Sequence, residues 1–60
     1  MNRSLQDDLL DLASAIANEM YGCDLDRLDP DHLEFYFNQV TADNLEELAN
    51  DLASAAWFEY

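Results

Sequence analysis

The residues able to do chemistry in this chain are few in kind: one histidine, His32, one cysteine, Cys23, no lysine, and fourteen carboxylates. A lone His and a lone Cys make a poor catalytic inventory, because no Lys exists to act as base, nucleophile or phosphate clamp. Cys23 and His32 could meet as a thiolate pair, but Asp24 and Asp26 supply the wrong sign of charge for a thiolate. A small, buried or half-buried filler is the simpler role for Cys23, and a single thiol forms no internal disulfide. The carboxylates invite a calcium reading, with Asp24, Asp26, Asp29 and Asp31 as oxygen ligands. The register is wrong: counting from Asp24, an EF-hand loop would place Leu28 where its third acid belongs and Asp29 where its glycine belongs. Capping and solvation account for these aspartates without an ion. The acyl-carrier class, also small, acidic and helical, needs an Asp-Ser-Leu attachment site, and none of Ser4, Ser14 and Ser54 has that context. The chain reads as a non-enzyme with no cofactor and no metal.

What remains is the charge itself. Against fourteen acids stand Arg3 and Arg27, for a formal net charge of −12. Solubility in a small domain asks for a magnitude of only about 2 to 8. Repulsion on this scale costs stability, so either high salt, as in a haloarchaeal protein, or a cationic partner belongs to the working environment. Nucleic acid and anionic membranes are excluded as partners by sign, and a basic protein surface is the natural one.

The acids are not scattered. Asp7, Asp8 and Asp11 lie near the start of a first helical pattern, and Asp43, Glu46, Glu47 and Asp51 near the start of a last one. Carboxylates three or four residues apart on a helix stand about 5 to 6 Å apart, comparable with phosphates on a strand that rises about 3.4 Å per nucleotide while winding outward. An acidic run is ordinarily a solvated face, but such faces mix Lys with Glu, and this one accepts repulsion at every exposed turn. Trp57 and Phe58 follow the acids. Extrapolating the last helix points both away from the core, as hot-spot residues inside an acidic surface, whereas a frayed or turned terminus would fold them back over it. Phe35 sits on the polar side of its own helix, and either aromatic patch could close a homodimer.

The elements that position these residues read as helices throughout. Ser4 caps a first helix from Leu5 to Tyr21, with Asp7 at its third position and Leu5, Leu9, Leu12, Ala13, Ile16 and Met20 on its apolar face. Gly22 ends it. A connector follows in which Leu25 and Leu28 fold under the helices, through one short helical turn starting at Asp24. Asp29 and Pro30 then start a second helix to Val40, with Leu33, Tyr36, Phe37 and Val40 inward. Thr41 caps the third, whose Leu45, Leu48, Ala49, Leu52 and Ala56 share a face. The expected product is one all-α domain spanning 1–60, a compact three-helix bundle with helices over about 5–21, 30–40 and 42–57. Asp11–Ala15 recurs as Asp51–Ala55, so helices 1 and 3 are either pseudo-equivalent or two solutions to one helical pattern. No apolar run approaches the roughly 20 residues of a membrane span, and the start turns acidic too quickly for a signal peptide. A cytoplasmic protein is expected.

In size, charge, lack of lysine and helical pattern, the whole chain resembles the small acidic inhibitors made by phages and mobile elements, the anti-CRISPR and antirestriction proteins that mimic nucleic acid. The resemblance is one of type and carries no motif from which residues could be transferred. It implies a basic nucleic-acid-binding protein as partner, in a host-cell cytosol. Those proteins share no single fold, so the bundle rests on periodicity alone.

Overall fold

The computed structural model describes residues 4–58, and among them every regular element is helical. Helix α1 (Leu5–Ile16) starts where Ser4 Oγ accepts the Asp7 backbone N–H at 3.2 Å. The helix continues as a π-helical turn over Ala17–Tyr21 and stops at Gly22, whose φ of 64° is the left-handed conformation that glycine adopts without a Cβ penalty. The Ala17 carbonyl accepts the N–H groups of both Gly22 and Cys23, which closes the widened turn.

A 3₁₀ turn over Leu25–Arg27 leads to α2 (Pro30–Gln39), whose N-terminus is held by Asp29 Oδ1, accepting from Asp31 N–H at 3.3 Å, with Pro30 at the first position. The expected third-helix start at 42 is corrected. Residues Ala42–Asn44 form a turn and α3 runs Leu45–Phe58. Nor does Thr41 cap it: the Thr41 N–H donates to Asn44 Oδ1 at 2.7 Å, and Asn44 Nδ2 donates to the Gln39 carbonyl at 2.9 Å. One asparagine thus ties the end of α2 to the start of α3, while its own carbonyl receives the Leu48 N–H at 2.8 Å.

The product is an all-α three-helix bundle with a radius of gyration of 10.6 Å, against roughly 10.4 Å for a packed domain of this length. Helix α3 packs on every other element, and its principal partner is α1. Between them lie Leu9, Ala13 and Ala17 on one side and Leu48, Ala49, Leu52, Ala53 and Ala56 on the other, all buried. Five of these eight are alanines, and small residues let two helices approach closely. Cys23, Leu25 and Leu28 complete the core from the connector, as their sequence context implied. No polar or charged side chain is buried among the described residues.

Several expected core residues lie elsewhere. Leu5 is exposed at the first turn of α1, beyond the reach of the packing. Leu12 and Ile16 are half-buried, and so are Leu33, Tyr36, Phe37 and Val40, so that α2 contributes no fully buried residue. Met20 is 71 % exposed. Its displacement follows from the π turn, because hydrogen bonds closed over one extra residue wind the chain by roughly 15° less per residue than the 100° of an α-helix. By residue 20 the accumulated lag is on the order of 60°, enough to carry Met20 off the buried face and bring Tyr21 towards it.

Candidate interaction surface

The acids predicted to meet a partner stand where the helices hold them out. Asp7 and Asp8 occupy the first turn of α1, and Glu46 and Glu47 the first turn of α3, where the partial positive charge of the helix dipole favours a carboxylate. Asp7, Asp11, Glu46, Glu47 and Asp51 are exposed, as is Asp43 in the preceding turn, whereas Asp8 is half-buried beside Leu9. Side-chain amides reinforce the exposed backbone between them. Asn18 Nδ2 donates to the Ser14 carbonyl at 2.9 Å and Asn50 Nδ2 to the Glu46 carbonyl at 3.0 Å. Neither α1, its π turn nor α3 contains a Lys or Arg, so these faces carry one sign of charge along their whole length. Of the two arginines, Arg3 lies outside the described residues and Arg27 is exposed on the 3₁₀ turn.

The aromatics divide. Helix α3 runs on through Phe58 instead of fraying, which leaves Trp57 47 % and Phe58 75 % exposed. Trp57 is nonetheless anchored: its ring lies 5.8 Å from that of Tyr21 at an interplanar angle of 34°, and Phe58 meets it edge-on at 5.1 Å. The C-terminal ends of α3 and of the α1 extension therefore meet at one end of the bundle, and the first-turn acids of α3 sit about 16 Å away along its axis. Phe35, 59 % exposed, makes its ring contact with Tyr36 at 5.7 Å on a separate part of the surface.

No family model, curated protein or solved structure matches this chain. Its function has to be argued from the surface.

Among the described residues, the acidity of Tyr36 is clearly shifted. Partial burial pushes its phenol above the ordinary value, and the Asp51 carboxylate adds to the shift. The charge of Asp51, exposed on α3, is thus felt at Tyr36 of α2, a coupling that helix 3 periodicity alone does not show. Two residues of the surface escaped sequence reasoning, Met20 and Tyr21, because the helical period was carried unbroken through the π turn. Among the described residues no three His, Cys, Asp or Glu side chains gather to hold a metal ion, and no helix is long and apolar enough to cross a membrane. The arrangement provides negative charge on packed helices, with a cluster of tilted and edge-on aromatic rings at one end.

Proposed function

We propose that this protein is an inhibitor that occupies the nucleic-acid-binding surface of a basic partner protein, presenting carboxylates where that surface normally meets phosphates. The observation that carries this reading is the exposure of Asp7, Asp11, Asp43, Glu46, Glu47 and Asp51 on and beside two helices that bear no cation. Carboxylates one turn apart, such as Asp7 and Asp11 or Glu47 and Asp51, hold their spacing because the helices are packed through their opposite faces. A partner surface built for a polyanion gains charge-assisted hydrogen bonds from them. Its own repulsion is relieved on binding, as is that of the inhibitor.

The test is competition. With the protein immobilised and its partner captured from the native host and identified, duplex DNA or RNA should displace the partner, and raising salt from about 0.05 to 0.2 M should weaken the complex steeply. A complex indifferent to nucleic acid and to salt overturns the proposal.

The exposure of Phe35, Trp57 and Phe58 favours a second reading, a helical adaptor or antitoxin-like module held by an aromatic patch, with charge serving solubility and on-rate. Single truncations separate the two. If Phe35→Ala or Trp57→Ala abolishes binding while paired Asp→Asn changes barely register, the adaptor reading holds.

A further inference from the structure

The aromatic cluster is placed in a way that solubility does not explain. Among the described residues only Leu9 and Leu52 are large side chains fully buried, yet the single tryptophan lies exposed at the surface, against Tyr21 and Phe58. The cluster also stands at the head of an acidic track. Residues seven and eleven apart on a helix share a face, so Phe58 stands above Asp51 and Glu47, and Trp57 above Asn50 and Glu46, all of them exposed. From Phe58 to Asp51 the rise along the axis is about 10 Å, and from Asp51 to Glu47 about 6 Å. Glu19, exposed on the π turn two residues before Tyr21, adds a carboxylate from the neighbouring element.

We propose that this end of the bundle is an arginine-selective contact, in which an arginine-rich segment of the partner stacks one guanidinium on Tyr21, Trp57 and Phe58 and lays the next ones along Asp51 and Glu47. The proposal rests on the reading above that the partner surface is basic, and it specifies which cation that surface offers. Ring faces attract cations, most strongly when water is displaced. The two basic side chains meet that demand differently. A guanidinium is planar and weakly hydrated, so it stacks on a ring while its in-plane N–H groups remain free to bond carboxylates; an ammonium is compact, strongly hydrated and without a face. Carboxylates alone attract both. Carboxylates with stacked aromatics at a fixed end of the same track distinguish them. A polyproline-II segment brings every third side chain back to the same face after about 9 Å, so arginines three residues apart in that conformation match the step of about 10 Å from Phe58 to Asp51.

Trp57 is the only tryptophan of the chain, so its emission reports directly on the cluster. The experiment titrates the full chain with nona-arginine and with nona-lysine at about 0.05 and 0.2 M salt, following Trp57 fluorescence and, for variants without it, calorimetry. Nona-arginine should bind about fivefold more tightly and shift the Trp57 emission. In Phe58→Ala, whose side chain is exposed, and in Trp57→Ala, that preference should fall towards unity while the salt-dependent affinity for both peptides persists. The paired change Glu47→Gln with Asp51→Asn should weaken both peptides alike. Equal, salt-sensitive binding of the two peptides overturns arginine selectivity and leaves the basic partner standing; a preference that survives both aromatic truncations overturns the assignment of that selectivity to this end of the bundle. Failure of both peptides to bind at low salt overturns both proposals. Circular dichroism of the two variants guards against a trivial loss of fold, and Phe58→Ala keeps the test decisive if Trp57→Ala melts early.

Discussion

The same five residues occur twice in this molecule and meet different fates. Asp11-Leu12-Ala13-Ser14-Ala15 lies in α1 and Asp51-Leu52-Ala53-Ser54-Ala55 in α3. In both copies the aspartate is exposed, the central alanine is fully buried and the serine is half-buried, as one helical phase requires. The leucines differ. Leu52 is fully buried and Leu12 only half, and Ala55 is half-buried where Ala15 is exposed. Helix α3 packs against α1, the π turn, the 3₁₀ turn and α2, whereas α1 packs chiefly on α3 and its own extension. Local sequence therefore sets which face turns inward, and the number of neighbouring elements sets how far around the helix burial extends.

The largest expected effect breaks the pair at its leucines. Leu52→Ala removes one of the two large side chains that are fully buried among the described residues, and truncation of a buried leucine costs about 2 to 5 kcal/mol. A domain of this size has a net stability of order 5 kcal/mol, so urea denaturation should find Leu52→Ala near its unfolding midpoint or beyond. Leu12→Ala should cost about 1 kcal/mol, because its side chain already meets water in the native state. Equal losses at the two sites would show that the pentapeptides are energetically equivalent and that α2 and the connector add nothing around α3.

A second substitution tests what the copies share. Ala13 and Ala53 are both fully buried between α1 and α3, and adding methylenes to a closed contact costs about 1 to 3 kcal/mol. Ala13→Leu and Ala53→Leu should each lower the denaturation midpoint by a similar amount, whereas Ala15→Leu, on the exposed side of α1, should leave it nearly unchanged. Unequal penalties at Ala13 and Ala53 would mean that the two helices do not approach along these residues.

The comparison also shows what the sequence could tell. Two caps and the stop of the first helix were legible because each is local chemistry: the Ser4 and Asp29 side chains accept helix N–H groups, and Gly22 takes a positive φ, whereas Thr41 is not the cap of α3 that its sequence position suggests. Fold class followed from periodicity, and the buried connector leucines from the need of a small core for every apolar residue. The core itself was read too far towards large side chains. Ala17 and Ala53 carry little hydrophobic weight in a helical wheel, yet they are fully buried, because closeness of approach and not side-chain size decides the α1–α3 contact. Met20 was assigned inward because a hydrogen bond closed one residue wider leaves no mark in the pattern, and Asn44 was overlooked because its bonds join two elements across a turn. Of the surface, the exposed acids were legible one by one. The tilted ring contact of Tyr21 with Trp57, where the two helix ends come together, required the fold.

The smallest effect sharpens the comparison at its aspartates. The Tyr36 phenol of α2 is raised above its ordinary value of 10.0, first by partial burial and then by the negative charge of Asp51. A phenol raised in the folded state favours the neutral form there, so its contribution to stability is whole below the unfolded-state value and is lost as pH rises through the higher folded value. Above about pH 10 the domain should therefore lose stability, and Tyr36→Phe should remove that part of the loss. Asp51→Asn should move the Tyr36 titration back towards its ordinary value without reaching it, because burial, the larger cause, remains. Asp11→Asn changes the same position of the other pentapeptide and should leave it in place. Absorbance at 295 nm, with the difference from Tyr36→Phe isolating this phenol from Tyr21 and Tyr60, follows the titration. If Asp11→Asn and Asp51→Asn shift it equally, the phenol senses the net charge of the domain and not a particular carboxylate, and α2 does not lie against the Asp51 side of α3.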